Sequence, residues 1–425
     1  MKYLLLLSLR TIKANKWRSF VNIAVIALSV AMVVITSGLI SVLSEIESQS
    51  FWSEIPAGLS DAEIAQRMKD HFGLNAARII GSFFNTLILI LSALMIYGTF
   101  AAGTRKRTKL MATLMTVGAT DTQKNLVTVA EVLILAPPGI LLGIALGLPV
   151  VYSAAKQLEE ILNLCNVPVK NLFAPDISTL LTLSAVSVLS VLSATLLSIV
   201  KTQKRSIITL AKTTSDIEIS LKKSPLDRIM WKLFGKAGEL AAAGYVNQKR
   251  LYRPLSRAFS IAMTLYVGGS VLIPYILQMG VPKDVYADQI EQIMNILNTA
   301  IMTVPLLAML CAICMFITCF QDRKRELAIY LSIGMEIKML YKVLTLEWIY
   351  RGFFLFLQGL LGAYALNFAI YCVFVVADVV EYLINPFEQI LFALLTVILL
   401  CAVMTCIMIS KIRRTNIAEM LKMIS

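Results

Sequence analysis

The chain holds a single histidine, His71, in 425 residues, and only 15% of its residues are charged. One histidine leaves no material for a Ser-His-Asp triad in the apolar part of the sequence or for a His-rich metal site. H-E-x-x-H is absent, and so is G-x-x-x-x-G-K-[ST], so this polypeptide cannot hydrolyse ATP by phosphate-loop chemistry. No catalytic, ATP-binding or metal-ligand constellation is present, and no enzymatic activity is expected of the chain itself. The seven cysteines are odd in number, and all but Cys165 fall within apolar runs. They read as packing hydrophobes, including Cys311 and Cys314 one helical turn apart.

Apolar residues make up 58% of the chain, whereas a soluble protein is roughly half apolar and about a quarter charged. The composition is that of an integral membrane protein. A net charge of +13 would suggest nucleic acid in a soluble chain, but here the placement of the charges decides. A run of about 20 apolar residues crosses the hydrocarbon core, and eight are present: 20–43, 79–101, 126–153, 178–200, 255–278, 293–320, 343–374 and 387–410. Of the 39 Lys and Arg residues, 31 lie at the two termini and in segments 104–125, 201–254 and 321–342, against 6 in the intervening loops. The positive-inside rule therefore predicts a multi-pass protein of the plasma (cytoplasmic) membrane with both termini in the cytoplasm. The opening MKYLLLLSLR has too short an apolar run, and no small-residue cleavage site, to be a signal peptide.

One stretch occurs twice. R-T-K-L-M-A-T-L-M-T-V-G begins at Arg107, includes Lys109 and ends at Gly118, and Glu131 follows thirteen residues later. R-K-R-E-L-A-I-Y-L-S-I-G begins at Arg323, includes Arg325 and Glu326 and ends at Gly334, and Glu347 follows at the same distance. The offset is 216 throughout, and each copy lies between two apolar runs, so the chain is an internal duplication. Four runs precede the second repeat and four separate the two copies, so both copies enter the membrane in the same orientation. The expected fold is all-α, with about eight transmembrane helices as two four-helix repeats and no large extracytoplasmic domain. The expected boundaries are 1–212 and 241–425 for the repeats, with a cytoplasmic linker over 213–240.

The pattern R-[KR]-x-E-[LF]-A-x-L-x-[SA]-[LI]-G between two membrane helices resembles the FtsX-like family of ABC transporter permeases. The second copy matches at Arg323, Arg325, Glu326, Leu327, Ala328, Leu331, Ser332 and Gly334; the first keeps Arg107, Ala112, Leu114 and Gly118 but has Leu110 in the acidic position. The resemblance implies a permease subunit whose two loops couple it to a separate ABC ATPase, present as a dimer, which would hold the ATP and magnesium. It also implies movement of an amphiphilic peptide, lipid or lipoprotein at the outer face, with membrane lipids and no nucleic acid as further partners. Two alternatives stay open. An ion-gradient-driven secondary transporter would use Glu131, Glu347 and Arg351, since intramembrane charges usually face a partner or a cavity. An ATP-driven signalling protein would act on a cell-wall enzyme or sensor kinase.

Further expectations concern local structure. Residues 3–19, and Lys249 to Arg253 in the second repeat, read as basic amphipathic entry helices lying on the inner membrane face. Outer loop 44–78 carries a capping signal at Ser60 and Glu63, with Gly73 closing a short helix. Pro137 and Pro138 predict a kink or short break in the third span, and Gly139, Gly143 and Gly147 form a smooth stripe for close helix contact. Gly118 and Gly334 mark bends where a left-handed residue is tolerated. Glu347 and Arg351, four residues apart, share one helix face.

Overall fold

The computed structural model describes residues 15–54, 72–102, 118–164, 171–173, 225–280, 287–376 and 385–414, with residues 8, 10, 12, 13 and most of 184–196. Among these residues there is no strand. Seven long helices are defined: α1 (Lys16–Glu54), α2 (Phe72–Ala102), α3 (Asp121–Leu164), α4 (Pro225–Gly280), α5 (Ala287–Ser332), α6 (Ile337–Val376) and α7 (Phe387–Arg414). The fourth apolar run contributes helical residues 187–193. Each of the eight runs thus contains described helix. Five helices, α1, α3, α5, α6 and α7, are long and apolar enough to cross a membrane, and α2 contributes the shorter apolar stretch Phe84–Phe100.

The outer surfaces are those of a chain solvated by lipid. Leu133, Leu141, Leu142 and Leu146 on α3, Phe353, Leu361 and Phe368 on α6, and Leu391, Leu395 and Ile398 on α7 are all exposed. Apolar faces this continuous would drive association in water. Inside, buried hydroxyls return their hydrogen to the helix backbone, as Thr36 does to Met32 O at 2.7 Å, or bridge helices, as Ser37 does to Asn85 Oδ1 at 2.6 Å.

The duplication is visible in the packing. Within each repeat the first and third helices make the most extensive contact, α1 with α3 and α4 with α6. Between repeats the exchange is reciprocal: α2 packs on α4, α5 packs on α1, and α2 meets α5. The glycines set how closely the first and third helices approach. A Cβ added at Gly139 would fall 2.6 Å from Ile26, at Gly143 2.6 Å from Val30 and the Ala27 carbonyl, and at Gly147 2.7 Å from Val34. One turn further the roles exchange, and Val151 fills the space over Gly38. In the second repeat Gly359 meets Met263, Gly362 meets Thr264, and then Gly268 meets Leu366. In both pairs residue numbers rise together, so the two helices run parallel.

Several local expectations are revised. α3 continues without a break from Asp121 to Leu164 through Pro137, Pro138 and Pro149. Pro137 and Pro138 are exposed, so their rings point away from the α1 contact that the neighbouring glycines make. Gly73 lies within α2 (Phe72–Ala102) and α1 extends to Glu54; Ser60 and Glu63 lie outside the described residues. The second entry stretch does not turn at the membrane face. The chain bends at Gly235 (φ 64°, ψ −147°) and then runs as one helix into the fifth span. Lateral packing accompanies this course: Ala237 and Ala241 bury against Val343 of α6.

Candidate functional site

α5 is a single helix of 46 residues, from Ala287 to Ser332. At a rise of 1.5 Å per residue it is about 70 Å long, more than twice the ~30 Å hydrocarbon core. The repeated motif is therefore not a separate short helix in the second copy. Arg323, Arg325 and Glu326 sit on the unbroken continuation of the sixth apolar run. Leu327 anchors this extension in the core, 1% exposed.

The extension ends in a defined cap. Gly334 N–H donates to Leu331 O and Met335 N–H to Tyr330 O, both at 3.1 Å. These are the two bonds of a Schellman motif, which requires a left-handed residue at its pivot; Gly334 has φ 94°. Gly118 has φ 96°. Behind it the chain re-enters the membrane through a capping box, in which Thr120 N–H donates to Gln123 Oε1 at 3.1 Å and Gln123 N–H to Thr120 Oγ1 at 3.4 Å. T-D-T-Q was the sequence signal for it. Arg107, Lys109 and Leu110 lie outside the described residues.

Above the cap, Glu347 and Arg351 meet on α6. One carboxylate oxygen of Glu347 accepts from Arg351 Nη2 at 2.6 Å and Nε at 3.2 Å. Glu347 is 0% and Arg351 5% exposed. The guanidinium lies 4.1 Å from the centre of the Tyr252 ring on α4, a cation–π contact strengthened by the loss of water. Tyr252 stacks beside Phe316 of α5 at 6.2 Å and meets Trp348 edge-on at 5.8 Å. Trp348 contacts Phe316 at 5.0 Å and donates from Nε1 to Met408 Sδ of α7 at 3.3 Å. The ion pair is thus the node at which all four helices of the second repeat join. Glu131, its counterpart in the first repeat, is half-buried, and Leu135 occupies the position of Arg351.

Sequence spacing placed Glu347 beside Arg351 but gave no sign of Tyr252, Phe316, Trp348 or Met408, which come from four helices and share no pattern. Pro137 and Pro138 lie on the opposite repeat and do not enter this cluster.

A bundle of long apolar helices, in which each copy of the basic sequence motif ends at a left-handed glycine, fits a multi-pass membrane protein of the permease type. The model of the FtsX-like permease C-terminal family matches twice, over residues 82–207 and 298–417. The chain belongs to the FtsX-like permease family, the membrane components of ABC systems. No curated protein and no solved structure matches it.

Proposed function

We propose that the chain supplies both halves of an ABC permease and that turns 107–118 and 323–334 dock into two separate ATPase subunits. The eight apolar runs then form two four-helix units with both termini in the cytoplasm. The observation that carries the reading is the continuity of α5 from the membrane into the motif, capped at Gly334. A displacement of the motif by an ATPase reaches Phe316 without an intervening hinge. Phe316 touches Tyr252 and Trp348, so α4 and α6 receive the movement together. ATP can shift such an element only through contacts that differ between its two states. The substrate is an amphiphile, a peptide, lipid or lipoprotein, taken at the outer face.

The ionic pathway of a secondary transporter finds less support. Glu347 is fully buried and held by Arg351 at 2.6 Å, a structural pair and not a carboxylate waiting for a proton. The test is co-expression and co-purification with a separate ABC ATPase subunit. The permease alone should bind no ATP, and hydrolysis by the complex should respond to the permease. Transport driven by a proton gradient in ATP-depleted vesicles would overturn the proposal.

A further inference from the structure

A cavity of about 210 Å³ opens between α4 and α6 beside the buried ion pair. Arg253, Ser256 and Arg257 of α4 line one wall, and Arg351 and Gln358 of α6 line the other, with the Tyr252 ring between them. Three arginines line one space. Glu347 engages Arg351. Arg253 and Arg257 are exposed and make no ion pair among the described residues. Glu347 offsets the charge of Arg351, while an anion in the cavity would offset the charges of Arg253 and Arg257.

Size and position identify the anion. Pockets for whole drug-sized ligands run to about 300–1,000 Å³, so this cavity suits a phosphate-bearing group rather than a nucleotide or a complete amphiphile. Arg253 and Arg257 stand where α4 passes from its polar entry stretch into the apolar stretch 258–271. Aromatic side chains, Tyr245, Tyr252 and Phe354, ring the cavity, as they do at the headgroup level of membrane proteins. One turn beyond Gln358, Leu361 is 64% exposed on α6, so a molecule held by its headgroup has an apolar face for its chains. We propose that this cavity binds the phosphate of an anionic phospholipid, in the leaflet at the basic end of the bundle, and bridges α4 to α6. The first repeat does not reproduce the site, since at the 216-residue offset Leu135 stands in the position of Arg351. This inference goes beyond the transport reading and needs no ATPase.

The experiment uses the full chain in nanodiscs, with Trp17, Trp52 and Trp231 replaced by Phe so that Trp348 alone reports. Quenching by brominated phosphatidylglycerol is compared with quenching by brominated phosphatidylcholine. The expected result is preferential quenching by the anionic lipid, falling about fivefold for each of Arg253→Gln and Arg257→Gln and retained in the Arg→Lys variants. Equal quenching by the two lipids would overturn the proposal. A preference that survives the double Gln variant would also overturn it, by showing general attraction to a basic surface. Millimolar glycerol phosphate or inorganic phosphate abolishing the preference would show a soluble phosphate as the occupant and overturn the lipid assignment.

Discussion

Gly118 and Gly334, 216 positions apart, hold the same left-handed backbone conformation, with φ of 96° and 94°. A Cβ at either position would meet nothing within 4 Å. Space does not require glycine there; the backbone angle does. Gly334→Ala and Gly118→Ala should each lower stability by about 1–2 kcal/mol, the penalty for an L side chain in this region, and Asn should lower it less. Thermal unfolding of the detergent-solubilised protein checks the order Gly, Asn, Ala. An alanine variant that unfolds at a higher temperature than wild type would show that the turn relaxes to another conformation.

Gly38 and Val151 test the parallel contact of α1 and α3. A Cβ at Gly38 would fall 2.7 Å from Val151 Cγ2 and 2.8 Å from Cγ1, with no backbone atom among its close neighbours. Gly38→Ala alone should destabilise by roughly 1–3 kcal/mol through overpacking. Adding Val151→Ala removes both clashing methyls, so the double variant should be more stable than Gly38→Ala. Loss of stability equal to the sum of the single effects would place the two residues out of contact.

The Glu347–Arg351 pair gives a third prediction. Removing one partner leaves a buried charge without compensation, so Glu347→Leu and Arg351→Met should each destabilise by about 3–5 kcal/mol. The joint variant Glu347→Leu with Arg351→Met removes both charges and should regain most of that loss. A double-mutant cycle on chemical unfolding measures it. Additive effects would show that neither charge depends on the other, and the node described here would then rest on its aromatic rings alone.

What could be read in the sequence was whatever has a fixed spacing along the chain. The offset of 216 exposed the duplication, the four-residue spacing put Gly139, Gly143 and Gly147 on one smooth helix face, and Arg351 fell one turn from Glu347 for the same reason. What required three dimensions was missed. The aromatic node joins Tyr252, Phe316 and Trp348 from three helices, and no one-dimensional pattern relates them. The continuity of α5 was also hidden, because R-K-R-E reads alike as a surface loop helix or as the end of a long one. At Pro137 and Pro138 the helix is continuous, so of the expected kink or short break the break is absent; packing of the neighbouring glycines against α1 sustains the helix. At 103–117 the comparison with the second copy lies outside the described residues.

The two copies of the motif differ at one chemically decisive position, Glu326 in the second and Leu110 in the first. If both turns dock into identical ATPase clefts, the clefts meet different side chains. A carboxylate facing an Arg or Lys of the ATPase makes a charge-assisted hydrogen bond of about 1.5–3 kcal/mol when shielded from water. Leucine offers apolar burial of about 1.5–3 kcal/mol when complete. The magnitudes match, so affinity does not rank the two turns, but their responses to charge do. Glu326→Lys sets a cation against a cation at the end of α5 and should uncouple hydrolysis from transport. Leu110→Glu recreates the chemistry of the other repeat and should be tolerated. ATPase rate and substrate movement, measured for both variants in one membrane preparation, decide the matter. Wild-type behaviour of Glu326→Lys together with loss of coupling in Leu110→Glu would reverse the ranking and place the functional contact on the first turn.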